Sequence, residues 1–295
     1  MLRCLFLYIA LLFGTSVVTE ARLYGVNYSI RNGPDWYPDE TRCKSIAQIT
    51  TELQQLQRLV TDRIRIYSMT DCNAAEILLG ITQQLNMQLW LGIWVGLNEF
   101  NFDVERARML ELMEVFDFTT NVIGIHVSSE AIYREEITAD QAIALRNVIK
   151  ADFDAKGWSS IPVTVADIID SNIEFPSLIT VDSAVVTFNQ FPFWENTVNI
   201  TTAASYMSER VRLVENQASG RQIIVTETGW ADMGSHPDAN VASPSSMAKW
   251  LQEFFCLASA RNWGYFWFDS YDSDWRRLNE QTPDSVEGHF GTYFD

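Results

Sequence analysis

The stretch Val225-Thr226-Glu227-Thr228-Gly229-Trp230 decides how this chain folds. It extends the apolar run Ile223-Ile224, ends that run on a glutamate, and follows at once with a Gly-Trp pair. An apolar run of this length, bounded in this way, reads as a strand buried on both faces of a parallel sheet. Upstream, Val122-Ile123-Gly124-Ile125-His126-Val127 repeats the pattern and runs into Ser128-Ser129-Glu130. Two buried-type strands therefore each end on a glutamate.

Outward from these two, short apolar strands alternate with amphipathic helices along the chain. Strands are expected at Leu23–Tyr28, Arg63–Tyr67, Met87–Val95, Val122–Val127, Ile161–Ala166, Ala184–Asn189, Gln222–Thr226 and Gly264–Phe268. Between them, Ile46, Ile49, Leu53, Leu56 and Val60 recur at helical spacing. Thr138-Ala139-Asp140-Gln141 is a capping box ahead of Ala142, Leu145, Ile149 and Phe153. Ser243-Pro244 supplies an N-cap and a first-turn proline ahead of Met247, Leu251, Phe254 and Ala258, and Gly220 is expected to stop the preceding helix. Eight such βα units fit a single-domain (β/α)8 TIM barrel, whose usual size is about 250 residues. The alternative, a doubly wound open sheet, lacks a glycine-rich phosphate loop after any strand. No linker, low-complexity tract or internal repeat divides the chain.

A composition of 47% hydrophobic residues argues for a globular chain with a sizeable core. The net charge of −17 argues against nucleic acid and against anionic membranes. A neutral polymer would be indifferent to it. Met1-Leu2-Arg3, the apolar run from Leu5 to Phe13, and Val18-Thr19-Glu20-Ala21 read as a secretory signal peptide over residues 1–21. The competing reading, a membrane anchor, would need a longer apolar span. The expectation is a secreted, extracellular or cell-wall protein, a monomer, with residues 22–295 forming the barrel. Beyond Cys4 the chain has Cys43, Cys72 and Cys256, which means one pair and one thiol outside it. Cys43 and Cys72 both stand at helix starts near strand ends and are the expected disulfide, whereas Cys256 lies on an apolar helix face and is expected to be buried. Three scattered cysteines and three histidines do not make a metal site, and no cofactor is expected.

In a barrel, the C-terminal ends of the strands converge on one mouth. Those ends carry Asn27 and Tyr28, Arg65 and Tyr67, Trp94, Glu130, Asp167, Asn189 with Phe191, Glu227 with Trp230, and Asp269. The set is rich in carboxylates and aromatic rings, as glycosidic bond cleavage requires. One carboxyl group must stay protonated as the acid while a second acts from the other face of the sugar. Aromatic rings stack on pyranose C–H faces, and an arginine or tyrosine such as Arg65 or Tyr67 would hydrogen-bond the second carboxylate. Bland readings compete: a lone strand-end glutamate is often a salt-bridge partner, and Trp158, Trp250 and Trp263 are expected in the core. His126 is expected to be packed or hydrogen-bonded, and Arg134-Glu135-Glu136 a solvated helix entry.

These residues carry a resemblance to glycoside hydrolase family 17, the β-1,3-glucanases and β-1,3-glucan transglucosylases, most of all its microbial cell-wall branch. The matching segments are Tyr24-Gly25-Val26-Asn27-Tyr28, Ile64-Arg65-Ile66-Tyr67, Ser129-Glu130-Ala131-Ile132-Tyr133-Arg134, Thr226-Glu227-Thr228-Gly229-Trp230 and Trp267-Phe268-Asp269-Ser270-Tyr271-Asp272-Ser273-Asp274-Trp275. Cys43-Lys44-Ser45 and Asp71-Cys72 also resemble that branch, and the likeness spans essentially the whole chain after the leader. It implies Glu130 as general acid/base, Glu227 as nucleophile, and retention of configuration, for which the carboxyl groups lie roughly 5–5.5 Å apart. It implies a cleft of several glucosyl subsites, with Tyr28, Arg65, Tyr67, Ser129, Asn189, Phe191, Trp230, Trp267, Asp269 and Trp275 as the expected substrate-binding residues. Two positions depart: the family usually has Asn where this chain has Ser129, and relatives often carry Glu at the place of Asp269.

The leading expectation is thus hydrolysis or transglucosylation of β-1,3-glucan. A glucan-binding wall protein with weakened catalysis is the alternative, motivated by Ser129, and a hydrolase of another β-glycan is a third. Of two glycosylation sequons, Asn199-Ile200-Thr201 is expected to be usable and Asn27-Tyr28-Ser29 to line the active site and stay bare.

Overall fold

In the computed structural model, which describes residues 22–97, 99–280, 282 and 284–292, eight parallel strands close into a barrel. They are β1 Val26–Asn27, β2 Arg63–Arg65, β3 Gln88–Ile93, β4 Val122–Ser129, β5 Val163–Ala166, β6 Val185–Asn189, β7 Gln222–Thr228 and β8 Gly264–Trp267. The hydrogen-bonded order runs β5-β4-β3-β2-β1-β8-β7-β6. The seam between β5 and β6 is closed just past β5, where Ile168 bridges Asn189 and the Asn189 N–H donates to the Asp167 carbonyl at 2.8 Å. The expected signal peptide lies outside the described residues.

The helical patterns fold as their caps dictate. Ser45 caps Ile46–Leu59, whose Ile49, Leu53 and Leu56 are fully buried, although Ile46 in the first turn is exposed. The Thr138–Gln141 capping box is formed on both sides and opens Ala139–Ala155. Ser243 and Pro244 open Pro244–Arg261, which buries Met247, Trp250, Phe254 and Ala258. The helix Ala203–Glu215 ends before Gly220, which instead makes the turn into β7 at φ 78°. Apolar side chains on the outer faces of the strands meet these helices in one continuous sheath.

The barrel interior is filled at its base by Trp90, Val185, Ile224 and Phe266. Trp90 occupies the space beside Gly124, where a Cβ would fall 2.4 Å from the indole. Side chains alternate along a strand, so the residues two places on from this layer point to the same axis. They include the buried polar side chains Thr187 after Val185 and Thr226 after Ile224, and Arg65 from β2 and His126 from β4 are buried with them. The apolar plug thus ends where a polar floor begins. The disulfide Cys43–Cys72, with Cα atoms 5.5 Å apart, ties the loop after β1 to the loop after β2 beside that mouth. Cys256 is half-buried, more open than its apolar helix face predicts.

Candidate active site

Arg65 is the hub of the polar floor. Its side chain is fully buried, and its Nη1 donates to Asn27 Oδ1 at 2.8 Å and to Glu227 Oε1 at 2.9 Å. Its Nη2 lies 3.1 Å from His126 Nε2 and its guanidinium sits 4.7 Å from the Tyr67 ring centroid. Burial and then the Arg65 charge push His126 well below its ordinary range, so the ring is neutral. Nε2 then accepts from Arg65 and the ring proton resides on Nδ1. Gly92 makes room for this arrangement, since a Cβ there would meet His126 Cε1 and the Ile66 carbonyl at 2.6 Å each. Asn27 is held in turn, its Nδ2 donating to the carbonyls of Thr226 and Phe266 at 3.2 Å.

Strand irregularities re-aim the side chains above that floor. The β4–β5 register shifts between Val127 and Ser129, and the β7–β8 register shifts between Val225 and Thr228. Ser128 and Glu130 hold φ of 64° and 60°, a region few non-glycine residues adopt. Such conformations concentrate at functional sites, where the surroundings over-determine them. Gly229 is required directly after the second shift: a Cβ there would fall 2.0 Å from the carbonyl oxygen of Phe268, the residue just past β8. Ser129 is thereby turned toward Glu227, donating from Oγ to Oε1 at 3.3 Å and accepting from Arg65 Nη2 at 3.4 Å.

Glu130 has a different environment. Its Oε1 accepts from Asn189 Nδ2 at 2.7 Å, and Asn189 Oδ1 accepts from Thr226 Oγ1 at 2.7 Å, which fixes the amide's orientation. Burial, then the nearby negative charge of Glu227, push the Glu130 carboxyl from 4.5 up to about 7. Glu130 is therefore protonated at mildly acid pH, while Glu227 is matched to the Arg65 cation. Pairs of carboxyl groups separated in this way by their surroundings divide into acid and base or nucleophile. The turn after Glu130 is pinned by Asp167, which accepts from the backbone N–H groups of Ile132 at 2.9 Å and Tyr133 at 3.3 Å.

Both glutamates line one open cleft of about 1220 Å³ across the barrel mouth. Of the residues expected to bind substrate, Tyr28, Tyr67, Ser129, Asn189, Phe191 and Trp275 line it. Arg65 does not line it and is bonded to Glu227, which does. Trp230, Trp267 and Asp269 do not line it. Trp230 is 1% exposed, folded back onto Phe193 and Trp250 with its Nε1 donating to the Val241 carbonyl. Trp267 points outward from β8 toward Phe254, as the inward Phe266 beside it requires. Asp269 is buried behind the wall, accepting from Ser270 N–H at 2.6 Å, and burial pushes its carboxyl up to about 6. Asn27 also lies below the cleft, not along it, and its fully buried side chain leaves no place for a glycan. Asn199 is exposed.

Sequence reading missed several contributors. Arg134 belongs to no helix entry: its Nη1 donates to the Ser129 carbonyl at 2.8 Å, it pairs with Glu136, and its guanidinium lies 5.0 Å from the Trp94 ring. Glu105 accepts from the Met69 N–H and the Ser68 hydroxyl, both at 2.6 Å, and so fastens the loop after β2 at the cleft edge. Phe268 and Phe290 join Phe191 in an edge-to-face cluster with centroids 5.3–6.0 Å apart. The position of Phe268 beside Asp269, at the end of β8, is the signal in the sequence for the first of these rings. Glu105 and Phe290 carry none.

Residues 25–291 match the model of the BtgE/BtgC glycoside hydrolase domain. The chain is similar to a glucan 1,3-beta-glucosidase of Saccharomyces cerevisiae, 25% identical across 96% of this chain and 91% of that one. A Candida albicans glucan 1,3-beta-glucosidase is 26% identical across 86% of this chain and 85% of its own length. Among solved structures, the glycoside hydrolase family 17 beta-1,3-glucanosyltransferase of Rhizomucor miehei superposes with a TM-score of 0.77, at 26% identity over 91% of this chain and 92% of that one. An active-site mutant of the same enzyme, in complex with laminaritriose, gives 0.78. With a carboxyl pair set at the mouth of an eight-stranded barrel and a domain match over nearly its whole length, this chain belongs to the BtgE/BtgC glycoside hydrolase domain family, within glycoside hydrolase family 17.

Proposed function

We propose that the protein is a secreted enzyme that cleaves or transfers β-1,3-linked glucan with retention of configuration, Glu130 serving as general acid/base and Glu227 as nucleophile. The observation that carries this reading is the contrast between the two carboxyl groups. Glu130 is raised to about 7 by burial and by Glu227, whereas Glu227 accepts from the buried Arg65 at 2.9 Å. Glu130 can deliver a proton to the leaving glycosidic oxygen as Glu227 attacks the anomeric carbon. It can then take the proton from an incoming hydroxyl, which is the role switch a retaining mechanism requires. The relatives' names supply the linkage: two are glucan 1,3-beta-glucosidases, and one solved neighbour holds laminaritriose. The cleft, at about 1220 Å³, is open and roomy, with Trp94, Phe191 and Trp275 among the aromatic residues that line it. The amino-terminal leader-like sequence and the Cys43–Cys72 bridge fit an oxidising, extracellular or wall compartment. No described helix is long and apolar enough to cross a membrane.

Hydrolysis and transfer use the same residues and differ in whether water or a sugar hydroxyl takes the glycosyl group. Incubation with a short β-1,3-glucan oligomer separates them. Products shorter than the starting chain establish hydrolysis, longer ones establish transfer, and either outcome supports this reading. Binding without any product would overturn it in favour of a glucan-binding wall protein.

A further inference from the structure

A second constellation of ligand-type side chains lies outside the cleft. Asp232 follows β7, Asp272 follows β8, and His289 lies in the C-terminal segment that crosses between those two loops. Each offers one donor atom, and the three atoms all lie within 4.8 Å of one another. None of the three lines the catalytic cleft.

The site is built, not incidental. Asp232 is only 5% exposed, yet its Oδ1 has no hydrogen-bond partner among the described residues. His289 Nδ1 is buried without one as well. A buried carboxylate oxygen left unpaired is costly, and native proteins rarely leave one so. Backbone contacts fix the surrounding frame: Asp232 N–H donates to the His289 carbonyl at 2.9 Å, and Gly291 N–H donates to Asp272 Oδ1 at 2.9 Å. The second bond leaves Asp272 Oδ2 facing His289 Nδ1 at 3.9 Å.

From this we infer that Asp232, Asp272 and His289 bind a divalent transition metal, zinc above all, which staples the C-terminal segment to the loops after β7 and β8. Zinc bonds of about 2.0–2.2 Å separate tetrahedral donors by roughly 3.4 Å, so the 3.9 Å edge needs a contraction of about half an ångström and no edge, all being within 4.8 Å, needs more than about 1.4 Å. An imidazole with two carboxylates suits zinc or manganese, whereas calcium and magnesium take oxygen donors. The stapled segment also carries Glu287 and Phe290 into the cleft wall, so the ion would steady one side of the active site from behind.

The test uses the full-length secreted protein stripped with EDTA and dialysed free of chelator. Zinc chloride is then titrated in by calorimetry and by thermal unfolding, with calcium and magnesium chloride as comparisons. The expected result is one zinc per chain and a melting temperature raised by roughly 3–8 °C at saturating zinc, with no shift from calcium or magnesium. Asp232→Asn should abolish the zinc shift without lowering the metal-free melting temperature, because it removes one of two crowded carboxylates. His289→Gln provides the same test at the other ligand if Asp232→Asn expresses poorly. Absence of stoichiometric zinc binding, a zinc shift that survives in these variants, or an equal shift from calcium would each overturn the assignment.

Discussion

Asn189 Nδ2 donates to Glu130 Oε1 at 2.7 Å, and the same amide is held by Thr226 Oγ1 at its other end. A hydrogen bond to the carboxyl group favours its ionised form, so Asn189 draws Glu130 down against the upward push of burial and Glu227. Asn189→Ala should therefore move the alkaline limb of the rate profile to higher pH and lower kcat by about 10–100-fold through lost orientation. A full pH–rate profile checks both. A merely structural asparagine would lower activity without moving the limb.

Arg65 carries a charge into a fully buried position and is matched there by Glu227, Asn27 and His126. Removing one partner of a buried pair leaves the other uncompensated, at a cost of about 3–5 kcal/mol. Arg65→Met should destabilise the fold by that order, and Arg65→Met combined with Glu227→Gln should recover part of the loss. Chemical denaturation of the two variants measures the difference, and the absence of any recovery would show that the pair is not coupled.

The pH dependence of stability follows from Glu130. Its folded value of about 7 lies above its ordinary 4.5, so between those values the native state holds a proton that the unfolded chain has released. The stabilisation this gives is complete below about 4.5 and is lost as pH rises toward about 7. Glu130→Gln removes the titration. At pH 8 the variant should be more stable than the parent by about 1–3 kcal/mol, and at pH 4 the two should unfold alike. Melting curves at the two pH values decide it.

Ser129 touches the proposed nucleophile at 3.3 Å and Arg65 at 3.4 Å, both long for a hydroxyl contact. An asparagine there would offer two donors and one acceptor oxygen in place of one hydroxyl. Hydrogen bonds to the sugar 2-hydroxyl strengthen in the transition state of this reaction class. Ser129→Asn should raise kcat/KM on β-1,3-glucan oligomers by about tenfold, which is roughly 1.4 kcal/mol off the barrier. A decrease would mean that the site has been rebuilt around serine.

Strand ends were readable because a parallel barrel gathers them at one mouth, and the buried-type runs marked those ends. Glu130, Glu227, Tyr67 and Asn189, all at such ends, line the cleft. Trp267 lies away from the cleft because side chains alternate along a strand: with Phe266 pointing inward, its neighbour must point outward to the helices. Trp230 misled for a different reason, since the loop after β7 turns back and buries the ring against Trp250. Glu105, Arg134 and Phe290 reach the site from a helix, a turn and the C-terminal segment. Only tertiary packing brings them there, and no local pattern encodes it.

In the proposed mechanism Glu227 forms a covalent glycosyl-enzyme. An activated 2-deoxy-2-fluoro β-1,3-linked glucosyl disaccharide forms such an adduct and then slows its breakdown, and digestion followed by mass spectrometry locates the label. The expected result is one disaccharide per chain, on the peptide containing Glu227, with labelling abolished in Glu227→Gln and retained in Glu130→Gln. Turnover of β-1,3-glucan oligomers with inversion of configuration and no adduct, or a label carried by Glu130, would contradict it.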